Sequence, residues 1–288
     1  MVSEAYRREW QAWHDSRIEY LNKPTGWLSL TAQIWLDPDK PTTIPGVPGA
    51  FTLHDDSIVY TPANPVDTID IDGHPATQPT VIPWGFNEYS IDGNGVTISH
   101  KDVELETMRR TNGEGHRIYS IRIRDPKETA RKQFPDIDTY PLDDKWIVPA
   151  HFTPAPSFDL VRLETVIHDV RETLYDFGTL RTDINGQSFD LLVRGVRTPA
   201  GYSAAVHLRD KTNGVTTYGA GRFVQIPLDE LAESDVLDLN YLIMFPCAFT
   251  NYVTCPLPPA QNTIPFEITA GEKLPPVSFG ERIQTYRP

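Results

Sequence analysis

The chain has 288 residues, of which 39% are hydrophobic and 23% charged, and a formal net charge of −13. A chain this long can bury a large core and split it between subdomains, while the acidic balance excludes a duplex-binding surface, which needs a net basic face. No apolar run reaches the roughly 18 residues of a membrane span, the N-terminus has no hydrophobic signal region, and two cysteines suit a reducing compartment, so the sequence reads as a soluble, cytoplasmic protein.

The first element is a helix. From Ser3 to Leu21 the residues Tyr6, Trp10, Trp13, Tyr20 and Leu21 recur at spacings of three, four and seven, one face of an amphipathic helix with Ser3 as N-cap. Asn22-Lys23-Pro24-Thr25-Gly26 ends it. A face bearing two Trp must dock on something, so the helix is expected against the body of the protein. The alternative is a partner-binding helix.

Short alternating runs follow, separated by turn dipeptides. They are Ser57–Tyr60, Thr68–Ile71 before Asp72-Gly73, Glu88–Ile91 before Asp92-Gly93, Val96–Ser99, Glu104–Arg109 and Arg117–Arg124. Asn112-Gly113 reads as the hairpin turn between the last two. In Arg117–Arg124 the alternation of Ile118, Ser120, Arg122 and Arg124 with Arg117, Tyr119, Ile121 and Ile123 is imperfect, which predicts burial on both faces. A Pro-rich, acidic joint over 126–156 carries a candidate short helix, Lys127–Phe134. Beyond it, Leu160–His168, Glu172–Leu180, Gln187–Leu192, Ser203–Leu208 and Thr216–Ile226 are strand candidates. Their turns are Asn185-Gly186, Pro199-Ala200-Gly201 and Asn213-Gly214.

This grammar predicts a mainly β fold: an N-terminal amphipathic helix, then two antiparallel β-subdomains of sandwich or barrel type, closed by a Pro-rich C-terminal run. The boundaries are 1–26 for the helix, 27–125 for the first subdomain, 126–156 for the joint and 157–288 for the second.

Motifs for chemistry are mostly missing. The sequence has no G-x-S-x-G elbow, H-E-x-x-H, P-loop or C-x-x-C pair. Asp70-Ile71-Asp72-Gly73 begins like a calcium loop but lacks Glu at the twelfth position and reads as a hairpin turn. The histidines show no metal-ligand spacing, so no metal is assigned and no cofactor is named. Cys247 and Cys255 leave three readings open: buried small hydrophobes, a loop-closing disulfide, or two ligands of a metal completed elsewhere.

The last quarter is the most distinctive stretch. Thr217-Tyr218-Gly219-Ala220-Gly221-Arg222-Phe223 leads to Pro246-Cys247-Ala248-Phe249, then to Cys255-Pro256-Leu257-Pro258-Pro259, Asn262 and Ala270-Gly271-Glu272-Lys273. So many Pro rings forbid a continuous helix or central strand, and an ordered irregular segment of this length usually serves a site or a rigid cap. Arg222 sits beside two glycines, where a guanidinium can grip a carboxylate or phosphate at two points; the bland alternative is a salt bridge to Glu272 or Asp238.

Together with Gly26-Trp27-Leu28-Ser29-Leu30, Trp35-Leu36, Ile121-Arg122-Ile123-Arg124-Asp125, Phe134 and Ile268–Lys273, these residues give a resemblance running from Trp10 to Lys273. The chain resembles the uncharacterised bacterial and archaeal proteins catalogued as domain of unknown function sixteen eighty-four. The resemblance implies no activity. Where that family reads Asp-Phe-Asn-Arg-Ala-Tyr-Asn-Pro before the first cysteine, this chain has Asp238-Leu239-Asn240 and then Tyr241-Leu242-Ile243-Met244-Phe245. The family's Glu before the late Asn is Gln261 here.

The leading expectation is a protein that binds a small polar or anionic ligand in a pocket roofed by the C-terminal run. Tyr218 and Arg222 would be the anchors, and Asn240, Asn262 and Glu272 would supply hydrogen bonds. The alternatives are a hydrolase-like enzyme with Glu272 as a catalytic general base near Arg222, and a scaffold whose C-terminal run staples two β-subdomains. No nucleic acid or membrane is expected as a partner, and the oligomeric state is left open.

Overall fold

A computed structural model describes residues 2–85, 93–134 and 136–274. Its first helix, Glu4–Asn22, is N-capped by Ser3, whose Oγ accepts from the Tyr6 N–H. The helix docks as its Trp face requires. Trp10 is buried and donates Nε1–H to the Asn240 carbonyl at 3.0 Å, and Tyr6 Oη donates to Asp238 at 2.6 Å. Trp13 packs edge-on against Tyr241. The helix therefore lies on the C-terminal part of the chain.

The rest is mainly β, as expected. One hydrogen-bonded path runs through Ile243–Met244, Arg222–Pro227, Gly201–Leu208, Gln187–Thr198, Val170–Ile184, Val103–Asn112, Ile98–His100, Asp70–Ile71 and His74–Pro75. It ends on open strands, so the sheet does not close and the barrel alternative is set aside. A small sheet of Ala50–His54, Ser57–Thr61 and Thr80–Val81 stands apart. The two parts of the large sheet meet where Thr111 and Asn112 pair with Arg171 and Val170. Separate hydrophobic clusters lie on either side, one gathering buried residues from Leu36 to Ile123 and another from Trp146 to Ala270.

Several boundaries differ from expectation. Thr68–Ile71 is a strand only at Asp70–Ile71, and Val96–Ser99 becomes Ile98–His100. Leu160–His168 stops at Glu164, because Thr165 turns to bridge Pro256 of the C-terminal run. Thr216–Ile226 is strand only from Arg222. Gly221 before it has φ +105°, and a Cβ there would run into the Leu208 carbonyl, so glycine is required and the ladder begins after it. Asn185-Gly186, both in the left-handed region, form the hairpin turn that joins the two longest strands. The sequence reading missed Leu30–Leu36, Ala50–His54 and Ile147–Pro154. Thr129–Gln133 is the short helix of the joint, and the Glu88–Ile91 candidate lies outside the described residues.

Candidate functional site

The Val103–Asn112 and Arg117–Arg124 strands pair with Glu106 opposite Arg122 and Leu105 opposite Ile123. Alternation sends Leu105, Tyr119, Ile121 and Ile123 into one hydrophobic cluster. The other face carries Glu106, Arg110, Ser120, Arg122 and Arg124, and all five are buried. Both faces of Arg117–Arg124 are thus covered, which explains its imperfect alternation.

This charged face forms the floor of a cleft of about 190 Å³. Arg110, Arg122, Trp27 and Thr254 line its base, and Phe223, Phe245, Leu174 and Val253 its walls. The N-terminal helix adds Arg17 and Tyr20, and Ser203 and Gln225 form a polar lip. The cleft therefore lies where the sheet, the helix and the Pro-rich run converge.

Of three nearby carboxylates only Glu172 lines the cleft, and each already has an arginine. Arg124 Nη2 reaches Glu106 at 2.9 Å, Arg110 Nη2 reaches Glu172 at 2.7 Å, and Arg17 Nε reaches Glu272 at 3.0 Å. Arg122 is the fourth cation. It meets Glu106 Oε2 and Thr254 Oγ1 at 3.5 Å each, the outer limit of a hydrogen bond, and its Nε has no partner. Its guanidinium also lies 5.9 Å from the Trp27 ring centre. Burial pulls the Arg122 pKa down to about 10, against the opposing pull of Glu106. Burial disfavours ionisation of Glu106 as well, but Arg124 and Arg122 outweigh it and hold the carboxyl below its usual range.

His207, on the cleft wall, is pulled down to about 4 by burial and then by Arg194, so it is neutral at pH 7 and adds no charge. Its ring packs against Phe223 and Phe245, and its Nδ1 is buried without a partner. Cys255 lines the cleft beside Cys247. Both cysteines are buried and neither forms a disulfide, and burial followed by the hydrogen bond with Cys255 pushes the Cys247 thiol up. Among the described residues no group of three or more His, Cys, Asp or Glu is placed to hold a metal.

The residues singled out from the sequence sit elsewhere. Arg222 is fully buried on the face of its strand opposite the cleft, since alternation gives the cleft Phe223 and Gln225. Its Nη2 donates to Asp210 at 3.0 Å and to the Ile268 carbonyl at 2.8 Å, and its Nη1 donates to the Ala270 carbonyl and, at 3.2 Å, to the Glu272 carbonyl. Its carboxylate partner is Asp210, not Glu272 or Asp238. The Glu272 side chain accepts instead from Arg17 and, at 2.6 Å, from the Met244 N–H. Asn262 is also fully buried. Its amide accepts from Leu192 N–H and donates to the Leu192 and His207 carbonyls, bridging two strands where their own ladder stops after Arg194 and Ala205. Asn240 joins Asp143 to Asp238, and Tyr218 is half-buried beside the cluster of Trp27, Phe223 and Phe245. None of the five lines the cleft. Arg222 and Glu272 come together only through the Glu272 backbone.

Arg110 and Arg122 were not singled out as site residues. Their signal was the Ile-Arg-Ile-Arg run, whose Arg122 and Arg124 pair with Glu106 and Glu104 while Arg110 lies further along the same partner strand opposite Ile118, which places like-facing charges on strands that are apolar on their other side.

Residues 132–273 match the model of a family described as protein of unknown function (DUF1684). The chain belongs to this family. The DUF1684 segment supplies the cleft walls and the C-terminal run, whereas Arg17, Trp27, Arg110 and Arg122 precede it. An uncharacterised protein of Haloarcula marismortui, solved by NMR in solution, is 30% identical over 51% of this chain and 80% of its own, with a TM-score of 0.40. No curated protein matches.

Proposed function

We propose that this DUF1684 protein binds a small anion with an apolar body, its negative group against Arg122 and its body among Phe223, Phe245 and Leu174. The observation that carries the reading is the surplus cation Arg122: Glu106, its nearest carboxylate, lies 3.5 Å from it and is held more closely by Arg124 at 2.9 Å, so Arg122 is left buried, under-bonded and on the cleft surface. A buried charge without a close counter-ion is costly to keep and is the expected mark of a binding site. Guanidinium geometry suits a two-point grip on a carboxylate.

Size supports the same class. A protein cavity of roughly 150 Å³ holds benzene, so about 190 Å³ leaves room for a benzene-sized body and a carboxylate. A single under-bonded cation favours a monoanion. Arg222, Asn262 and Glu272 take the structural role of fastening the Pro-rich wall of the cleft to the sheet and helix.

Isothermal titration with benzoate tests this. Wild type should bind saturably, with a dissociation constant on the order of micromolar to millimolar for so small a ligand. Arg122→Met should weaken binding at least tenfold while remaining folded. Equal affinity in the variant, or no saturable binding by wild type, would refute the reading.

A further inference from the structure

The cleft does not end at its polar lip. The Gly201–Leu208 and Arg222–Pro227 strands pair His207 with Phe223, Ala205 with Gln225 and Ser203 with Pro227. Cross-strand partners share a face, so Ser203, Ala205, His207, Phe223, Gln225 and Pro227 all lie on the same side of this ribbon. The opposite side, with Ala204, Val206 and Val224, is packed into the core. The anion cleft occupies the His207 end. A second groove, of about 750 Å³, starts at Ser203 and Gln225, which line both spaces, and continues past Gly201 and Pro227 onto Phe152, Phe158 and Tyr202.

Where the two spaces meet, the residues common to both are joined by an exposed hydrogen bond, in which Gln225 Nε2 donates to Ser203 Oγ at 2.9 Å. Such a bond adds only about 1 kcal/mol net and its side chains swing easily. From the His207 level to Gly201 the strand advances about 20 Å. The far end carries Asp229 and Glu230, exposed residues that begin the Leu228–Glu233 helix. The two spaces together are therefore cationic at the Arg122 end, aromatic in each space, with Phe223 and Phe245 in the first and Phe152, Phe158 and Tyr202 in the second, and acidic at the far end.

Resting on the anion reading of the cleft, we infer that the ligand is an amphipathic monocarboxylate, its headgroup at Arg122 and its alkyl chain passing the Ser203–Gln225 bridge to lie in the second groove. The charge gradient fixes this direction, because a carboxylate at the other end would face Asp229 and Glu230. An uncharged tail meets no such penalty there.

Titration with butanoate, hexanoate, octanoate and decanoate, each below its aggregation concentration, decides the point. Each methylene buried in the groove should tighten binding by up to about fourfold, so decanoate should bind at least tenfold more tightly than hexanoate. Ala232→Trp, at an exposed position on the groove wall, should remove that gain and leave hexanoate affinity unchanged. Arg122→Met should weaken all the acids together. A flat series, with hexanoate binding as well as decanoate, overturns the tail assignment while leaving the anion site intact. A chain-length gain that survives Ala232→Trp also overturns it. Failure of all four acids and of benzoate removes both readings.

Discussion

Replacing Arg122 by Met should leave the protein as stable as before or more so, which is unusual for removal of a buried charge. Burial disfavours the charged guanidinium and pulls its pKa down to about 10, even though Glu106 pulls the other way. Against this stand two contacts at 3.5 Å and a distant Trp27 ring, together about 1 kcal/mol. Removing one member of a buried pair usually costs about 3–5 kcal/mol because it strands the other charge. Here Glu106 keeps Arg124 at 2.9 Å and is not stranded. Met also fills most of the vacated volume with apolar atoms. The expected change lies between none and a gain of about 1–2 kcal/mol, as for other buried charges replaced by apolar side chains of similar volume. Arg124→Met, which takes the close partner from Glu106, should instead lose about 3–5 kcal/mol. Urea unfolding followed by both far-ultraviolet circular dichroism and Trp fluorescence provides the comparison, coincident transitions being the check that one free energy is meaningful for each variant. A loss in Arg122→Met of 2 kcal/mol or more, comparable to that in Arg124→Met, would mean that Arg122 is a structural ion-pair member. The surplus-charge argument would then fail.

Three further outcomes follow from the same geometry. Arg222→Ala strands buried Asp210 and strips donors from the Ile268 and Ala270 carbonyls, so urea denaturation should report a loss of about 4 kcal/mol or more, while benzoate affinity in the fraction still folded stays within twofold. Asn262→Ala leaves the Leu192 amide and the Leu192 and His207 carbonyls without their bridge and should cost about 2–4 kcal/mol by the same measurement; a change below about 0.5 kcal/mol would show the bridge to be idle. For His207 the folded pKa is about 4 against 6.5 unfolded, burial being the larger cause. The unfolded chain therefore takes up a proton first as pH falls. Stability is full above pH 6.5 and declines towards pH 4 by up to about 3 kcal/mol. His207→Gln should flatten that part of the stability–pH curve, and an unchanged slope would assign it to other groups.

The reach of the sequence can be judged from particular residues. The N-terminal helix was legible because a single period places Trp10 and Leu21 on one face and Ser3 at the cap. The Asn185-Gly186 hairpin was legible because its left-handed backbone angles favour those residue types, and the Asn112-Gly113 hairpin because Asn112 Oδ1 accepts from the Glu114 and His116 amides of the turn. Glycine misled at Thr216–Ile226, where Gly219 and Gly221 sat within an otherwise strand-like pattern. The strand at Ile147–Pro154 was hidden by its prolines, Pro149 and Pro154, in a segment whose composition reads as a linker.

The candidate site was legible only as a region. The C-terminal run does wall a cleft, but the five polar residues chosen from the sequence do not line it, and Arg222, Asn240, Asn262 and Glu272 are held by other protein groups. Arg222 and Arg122 are each a strand arginine between hydrophobic neighbours, and no local rule separates them. What separates them is the company each meets: Arg222 faces Asp210 and carbonyls up to 50 residues away in sequence, and Arg122 meets Thr254, 132 residues away, only at 3.5 Å and on the lining of the cleft. Periodicity and turn chemistry act over a few residues, so the sequence by itself determined the helix, most strands and the pattern of faces. Whether a buried charge is saturated or left free for a ligand depends on contacts between distant segments, and only the tertiary structure decided that.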